Sequence, residues 1–127
     1  IVPFLKMLQK YPEYEQEVKV PEKVWPLRIW YMYEQDVCTL IDVNEQERKV
    51  KIRNYTDKIM FRAFGTIDDP DYNDYLEFLE SRCFPESRDK MKLILKDLGL
   101  PFYDPIMIIE KTAGRMAEDD FWIRIER

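Results

Sequence analysis

Three runs of alternating apolar and polar residues, laid end to end with very little chain between them, constrain this sequence more than any other feature. Leu27, Ile29, Tyr31 and Tyr33 alternate with Arg28, Trp30, Met32 and Glu34. Gln35-Asp36 is a turn, after which Val37, Thr39, Ile41 and Val43 continue the same period. A polar loop, Asn44 to Arg48, leads into Lys49, Lys51 and Arg53 alternating with Val50 and Ile52. A period of two is that of a strand with one face buried. The connections are far shorter than the dozen or so residues a parallel crossover needs, so the strands form an antiparallel meander. Ile59 to Phe64, ended by Gly65, reads as a fourth strand. A single sheet of this kind has an apolar face that something must cover.

The period then changes. Asp69-Pro70 or Asp71 supplies a helix N-cap signal, and Tyr72, Tyr75, Leu76, Leu79 and Cys83 recur at helical spacing on one face. Pro85 stops that helix, and Ser87 reads as the N-cap of the next, whose stripe is Met91, Ile94, Leu95 and Leu98. Gly99 falls at its C′ position with Pro101 beyond. Asp104-Pro105 opens a third helix, closed at Gly114. Phe121 to Ile125 alternates again and reads as a last strand that pairs back with the sheet. The expected architecture is α+β: a four- to five-stranded antiparallel sheet, covered on one face by about three short helices, with a final C-terminal strand. Residues 1–22, broken by Pro12 and Pro21, read as an N-terminal arm docking through Phe4, Leu5 and Leu8. Residues 23–127 form the single α+β domain.

Chemistry is limited by what is missing. The chain has 127 residues and no histidine, which removes the usual neutral-pH base and every Ser-His or Cys-His pair. Its 3 glycines leave no room for a glycine-rich phosphate loop. The net charge of -5 makes direct nucleic-acid binding a poor expectation. No apolar run approaches the roughly 20 residues needed to cross a bilayer, and the opening residues do not read as a signal peptide. Cys38 and Cys83 read as buried free thiols in a cytoplasmic protein rather than as a disulfide. No enzyme activity, metal or cofactor is expected.

Four groups of residues remain as candidates. The acidic run from Asp68 to Glu80 reads as a capped, solvated helix face; a divalent-cation site, and with it a carboxylate-based metal-dependent hydrolase, is the alternative. Glu118-Asp119-Asp120 reads as a loop anchoring its own backbone amides, with Asp119 or Asp120 facing a partner's cation as the alternative. Arg82, Arg88, Lys90, Lys92 and Lys96 form a cationic group around the Phe84-Pro85 bend. Arg88, read as lying in a first helical turn, opposes the dipole there and points to an acidic partner. Trp25 stands beside Pro26, and Trp30 points away from Leu27 and Ile29. Trp30 is therefore either core on the far sheet face, packed against the N-terminal arm, or an exposed protein-binding anchor. Uncovered strand edges would add to an interaction surface.

The second half also carries a cadence: Tyr75 to Arg82, the bend Phe84-Pro85-Glu86-Ser87-Arg88, Ile94 to Gly99, and Gly114 to Ile123 with Asp120-Phe121-Trp122-Ile123. It resembles the segment preceding the kinase core in HipA-like serine/threonine kinase toxins, over roughly residues 27–125. Met116-Ala117 stands where that family often has Leu-Ser. The resemblance implies a separately encoded N-terminal subdomain, like the small subunit of a split toxin-antitoxin system. Such a subunit is expected to bind and neutralise a HipA-like kinase. It implies fold-shaping or contact roles, without catalysis, for Ser87, Arg88, Asp120 and Trp122. The partner-binding candidates are thus Trp25, Trp30, Arg82, Arg88, Asp120 and Trp122. A structural or interaction domain with another protein partner is the alternative.

Overall fold

A computed structural model describes residues 19–127. Strands β1 (Leu27–Tyr33), β2 (Asp36–Asn44) and β3 (Lys49–Asn54) form the expected meander. Helices α1 (Tyr72–Ser81), α2 (Met91–Leu98) and α3 (Pro105–Thr112) follow, and β4 (Phe121–Glu126) closes the order. The four strands are antiparallel in the order β3-β2-β1-β4, so the last strand lies beside the first. Most of the expected arm lies outside the described residues, including Phe4, Leu5 and Leu8.

The alternation sorts the side chains by face except at Val37, which a bulge at Cys38 moves to the face opposite Ile41 and Val43. Leu27, Ile29, Tyr31, Ile41, Val43 and Ile123 face the helices and share one buried cluster with Tyr75, Phe78, Leu79, Ile108 and Ile109. Trp30, Met32, Val37, Leu40 and Trp122 form a second cluster on the far face, joined by Val20 and partly covered by Tyr55. Both faces of the sheet therefore carry a buried cluster, the far one over β1, β2 and β4, while β3 leaves Lys49, Lys51 and Arg53 exposed on that face. The Tyr55 hydroxyl donates to the Lys19 carbonyl at 2.6 Å, tying the lead-in segment to the end of β3. One bulge interrupts β2: Tyr31 pairs with Thr39 and Met32 with Val37, leaving Cys38 as the extra residue.

The expected strand at Ile59 to Phe64 does not form. Ile59–Phe61 is a 3₁₀ helix, and hydrogen bonds from Phe61 to Lys58, Arg62 to Ile59 and Gly65 to Arg62 keep the segment in local turns. The turn is started by the Thr56 hydroxyl, which accepts from the Lys58 amide at 3.2 Å. An apolar run bounded by a glycine does not make a strand where local side-chain bonds offer the backbone another partner. The segment still contributes to the core. Phe61 lies 4.7 Å from the Tyr33 ring and 5.4 Å from Phe121, and Phe64 lies 5.4 Å from Phe78.

The helix ends follow their sequence signals with one exception. Asp71 caps α1 with a complete capping box: its carboxylate accepts from the Asp74 amide at 2.8 Å, and Asp74 accepts from the Asp71 amide at 2.9 Å. Asp104 caps α3 by accepting from the Ile106 and Met107 amides. Gly99, at φ +74°, ends α2. The exception is Ser87. It sits in a turn closed by the Arg88 amide donating to the Pro85 carbonyl, and α2 starts only at Met91, after Lys90 in a left-handed conformation. Arg88 therefore precedes the helix, and its expected conflict with the helix dipole does not arise. On α1 the buried face runs through Tyr75, Phe78 and Leu79, while Leu76 is exposed.

Candidate interaction surface

Arg82, one residue past α1, is the centre of the densest polar arrangement among the described residues. Its guanidinium donates to the Gly114 carbonyl twice, at 3.0 and 2.8 Å. It also donates to both oxygens of Asp119, at 2.9 and 3.1 Å, and to the Phe121 carbonyl at 3.1 Å. The side chain is 7% exposed. Asp119 in turn accepts from the Phe121 amide at 3.0 Å. The hydrogen bond from Arg82 holds the Asp119 carboxyl below its ordinary carboxylate range, assisted by the Phe121 amide and opposed by partial burial. Only the planar fork of arginine reaches a carbonyl and a carboxylate on separate segments at once. Arg82 thus fastens the end of α1 to the approach of β4.

Gly114 is the other half of this fastening. It adopts φ +62°, and a Cβ there would stand 3.0 Å from Ile123 Cδ1. Gly114→Ala is expected to destabilise the fold by about 2 kcal/mol, from backbone strain and the clash together. A urea melt matching the parent would refute this.

The other candidates divide between interior and surface. Trp30 is 2% exposed, and its indole N–H donates to Glu126 at 3.0 Å. The strand register places it in a row with Leu40 and Arg124, next to a row of alternating charge formed by Lys51, Asp42, Arg28 and Glu126. In that second row Arg28, itself buried, forms a two-pronged bond to Asp42 at 2.7 and 3.0 Å. Trp122 belongs to the same apolar cluster as Trp30, and its indole N–H donates to the Glu34 carbonyl at 2.7 Å. Asp120 is exposed, and its carbonyl accepts from the Glu34 amide at 3.1 Å, so β4 grips the β1–β2 turn through both backbone groups of Glu34. Arg88 is exposed with its guanidinium 5.6 Å from the Phe84 ring centre, in its own loop. Trp25 is half-buried, with Lys51 Nζ 4.8 Å from its ring centre. Arg82, Trp30 and Trp122 are interior groups with internal partners, whereas Trp25, Arg88 and Asp120 present surface.

Two open clefts complete the surface. One, of about 490 Å³, lies beside the bulge and is lined by Tyr33, Asp36, Cys38, Tyr55, Lys58 and Phe61. The other, of about 500 Å³, follows β3, with Trp25, Arg48, Lys49, Lys51, Asp69 and Tyr72 in its walls. Both cysteines are free and buried. Burial, with Asp36 adding to it, pushes the Cys38 thiol up to about 11, and burial raises Cys83 as well. Neither is a ready nucleophile at neutral pH. Among the described residues no three His, Cys, Asp or Glu side chains come together as metal ligands. No helix among them is long and apolar enough to cross a membrane.

The cleft along β3 is the feature the sequence reading did not single out. Lys49, Lys51 and Arg53 marked a solvated strand face, but nothing local showed that Trp25 and Tyr72 would flank it. Comparison with known protein families, with curated proteins and with solved structures finds no match to this chain.

Proposed function

We propose that this chain is a non-catalytic protein-binding module whose partner is a HipA-like kinase encoded nearby, and that it neutralises that kinase. The observation that carries this reading is the Arg82 arrangement. Residues quoted for the resemblance, Arg82, Gly114, Phe121 and Trp122 among them, meet in one region where their polar groups bond to one another and to Asp119 or Glu34. A signature devoted to holding a small α+β unit together suits a separately encoded subdomain better than a reaction centre. The surface that remains is suited to binding. It has open clefts, and several large apolar side chains stand in water, with Met60 at 84%, Val24 at 71% and Phe102 at 57%.

Co-expression with the kinase-like product of a neighbouring gene tests the reading. The expected result is a complex that survives size-exclusion chromatography and relieves the kinase's toxicity. Failure to associate with any kinase-like neighbour would sink it.

A further inference from the structure

We infer that the outer edge of β3 takes an extended segment of a partner protein as a fifth strand, and that this segment alternates acidic with apolar residues. The inference deepens the binding-module reading and rests on it. Among the described residues β3 pairs with β2 on one side and with nothing on the other. An open strand edge offers a row of backbone donors and acceptors to an incoming chain.

The side chains specify the guest. Lys49, Lys51 and Arg53 are exposed and share one face of β3, while the half-buried Val50 and Ile52 occupy the other. Residues directly across a strand pair interact, opposite charges favourably and like charges unfavourably. Two copies of β3 paired antiparallel would bring cations against cations, so the edge disfavours a second copy of this chain and favours a strand with carboxylates at every second position. The intervening positions fall on the face of Val50 and Ile52, where apolar groups match and where Asp69 would repel an acid. Because side chains alternate strictly along a strand, one register satisfies both faces and a one-residue slip satisfies neither. The cleft adds side walls: Trp25 lies under Lys51 Nζ, and Tyr72 lies 4.7 Å from the Arg48 guanidinium. Arg48 extends the cationic edge by one residue.

The probe is a capped ten-residue synthetic peptide of alternating Glu and Val, titrated into the isotopically labelled protein and followed by NMR. Three controls accompany it: the Lys-Val counterpart, a peptide of the same composition with its Glu residues in one block, and the alternating peptide N-methylated at every second amide. The expected result is a saturable shift of the amides of residues 48–53 and of the Trp25 indole. Lys49→Glu/Lys51→Glu should weaken binding by about tenfold or more, and Trp25→Ala should weaken it less. The N-methylated and blocked peptides should fail, since they keep the charge but lose the ladder or its register. Equal binding of the N-methylated peptide, shifts confined to other surfaces, or no shift at about 1 mM peptide would each overturn the proposal. Unchanged thermal melts keep the variants interpretable, because all three substituted side chains lie at the surface of the cleft. Co-expression separates the two levels. If the charge-reversed protein still retains the kinase, the edge proposal fails and the function stands. If the parent retains no kinase yet binds the alternating peptide in this pattern, the function fails and the edge proposal stands.

Discussion

Arg82→Ala is expected to destabilise the protein by about 3–4 kcal/mol, which for a chain of this size lowers the melting temperature by roughly 10 °C or more. The magnitude follows from what is left behind. The buried Gly114 carbonyl loses both of its bonds from the guanidinium, the Phe121 carbonyl loses its bond, and Asp119 loses its ion pair. The Asp119 side chain is 33% exposed, so water takes back part of its loss, and the ion pair is the smaller share of the total. Arg82→Lys should restore little of it, because an ammonium cannot face two segments in one plane. Asp119 adds a pH signature. Its folded pKa lies below the unfolded value, so its contribution is fully present above about pH 4 and disappears as pH falls through the lower folded value. The stability gap between the parent and Asp119→Asn should therefore narrow on acidification below pH 4. Chemical denaturation at pH 7 and pH 3 measures both effects. An Arg82→Ala protein that melts with the parent, or a gap that widens in acid, would refute this account.

Trp30→Ala is expected to cost about 3–5 kcal/mol. Trp30 is 2% exposed, sits among Met32, Leu40 and Trp122, and bonds to Glu126. Its truncation removes one of the two tryptophans of the far-face cluster, uncovers Leu40 across the β1–β2 pair, and frees Glu126. The substitution also separates the two roles considered for this residue. A core tryptophan, when removed, lowers the melting temperature of the isolated chain. An interface anchor, when removed, weakens partner binding and leaves that melt alone. The burial predicts the first, and a Trp30→Ala chain with parental stability and impaired binding would reverse the assignment. Trp30→Phe should recover most of the loss, since it keeps the ring and gives up only the bond to Glu126.

How far the sequence could be read depended on how local each signal was. The alternation from Leu27 to Arg53 located β1, β2 and β3 and assigned their faces, because period two acts on neighbouring side chains, except at Val37, which the bulge at Cys38 turns to the far face. The caps at Asp71, Asp104 and Gly99 were legible for the same reason. Ser87 was not, because nothing nearby shows that the Pro85-to-Arg88 turn delays α2 until Met91. Ile59 to Phe64 looked like a strand by composition, but a strand needs a neighbour, and the Thr56 hydroxyl had already started a turn. Trp30 was correctly turned away from the helices. That its face is covered depends on Val20 and Tyr55, which approach from segments outside the alternation. The Arg82 bonds to Gly114 and Asp119 span 32 and 37 residues, and no periodicity reports a contact of that separation. The cleft on β3 was half legible: its cations alternate in the sequence, but its aromatic walls come from either side of the sheet.

The position of β4 has a consequence for synthesis. β1 is an interior strand, yet one of its two neighbours leaves the ribosome long after it, and the bond from Trp30 to Glu126 spans 96 residues. Until Phe121–Glu126 emerges, the nascent chain exposes the flank of β1 with Tyr31 and Trp30 beside it, and the Arg82 guanidinium lacks its Phe121 acceptor. The meander and α1 can collapse early, but the cooperative fold must wait for nearly the whole described chain. Removing Phe121–Glu126 should therefore leave an interior strand open to other chains, which is a worse defect than the small number of missing residues suggests.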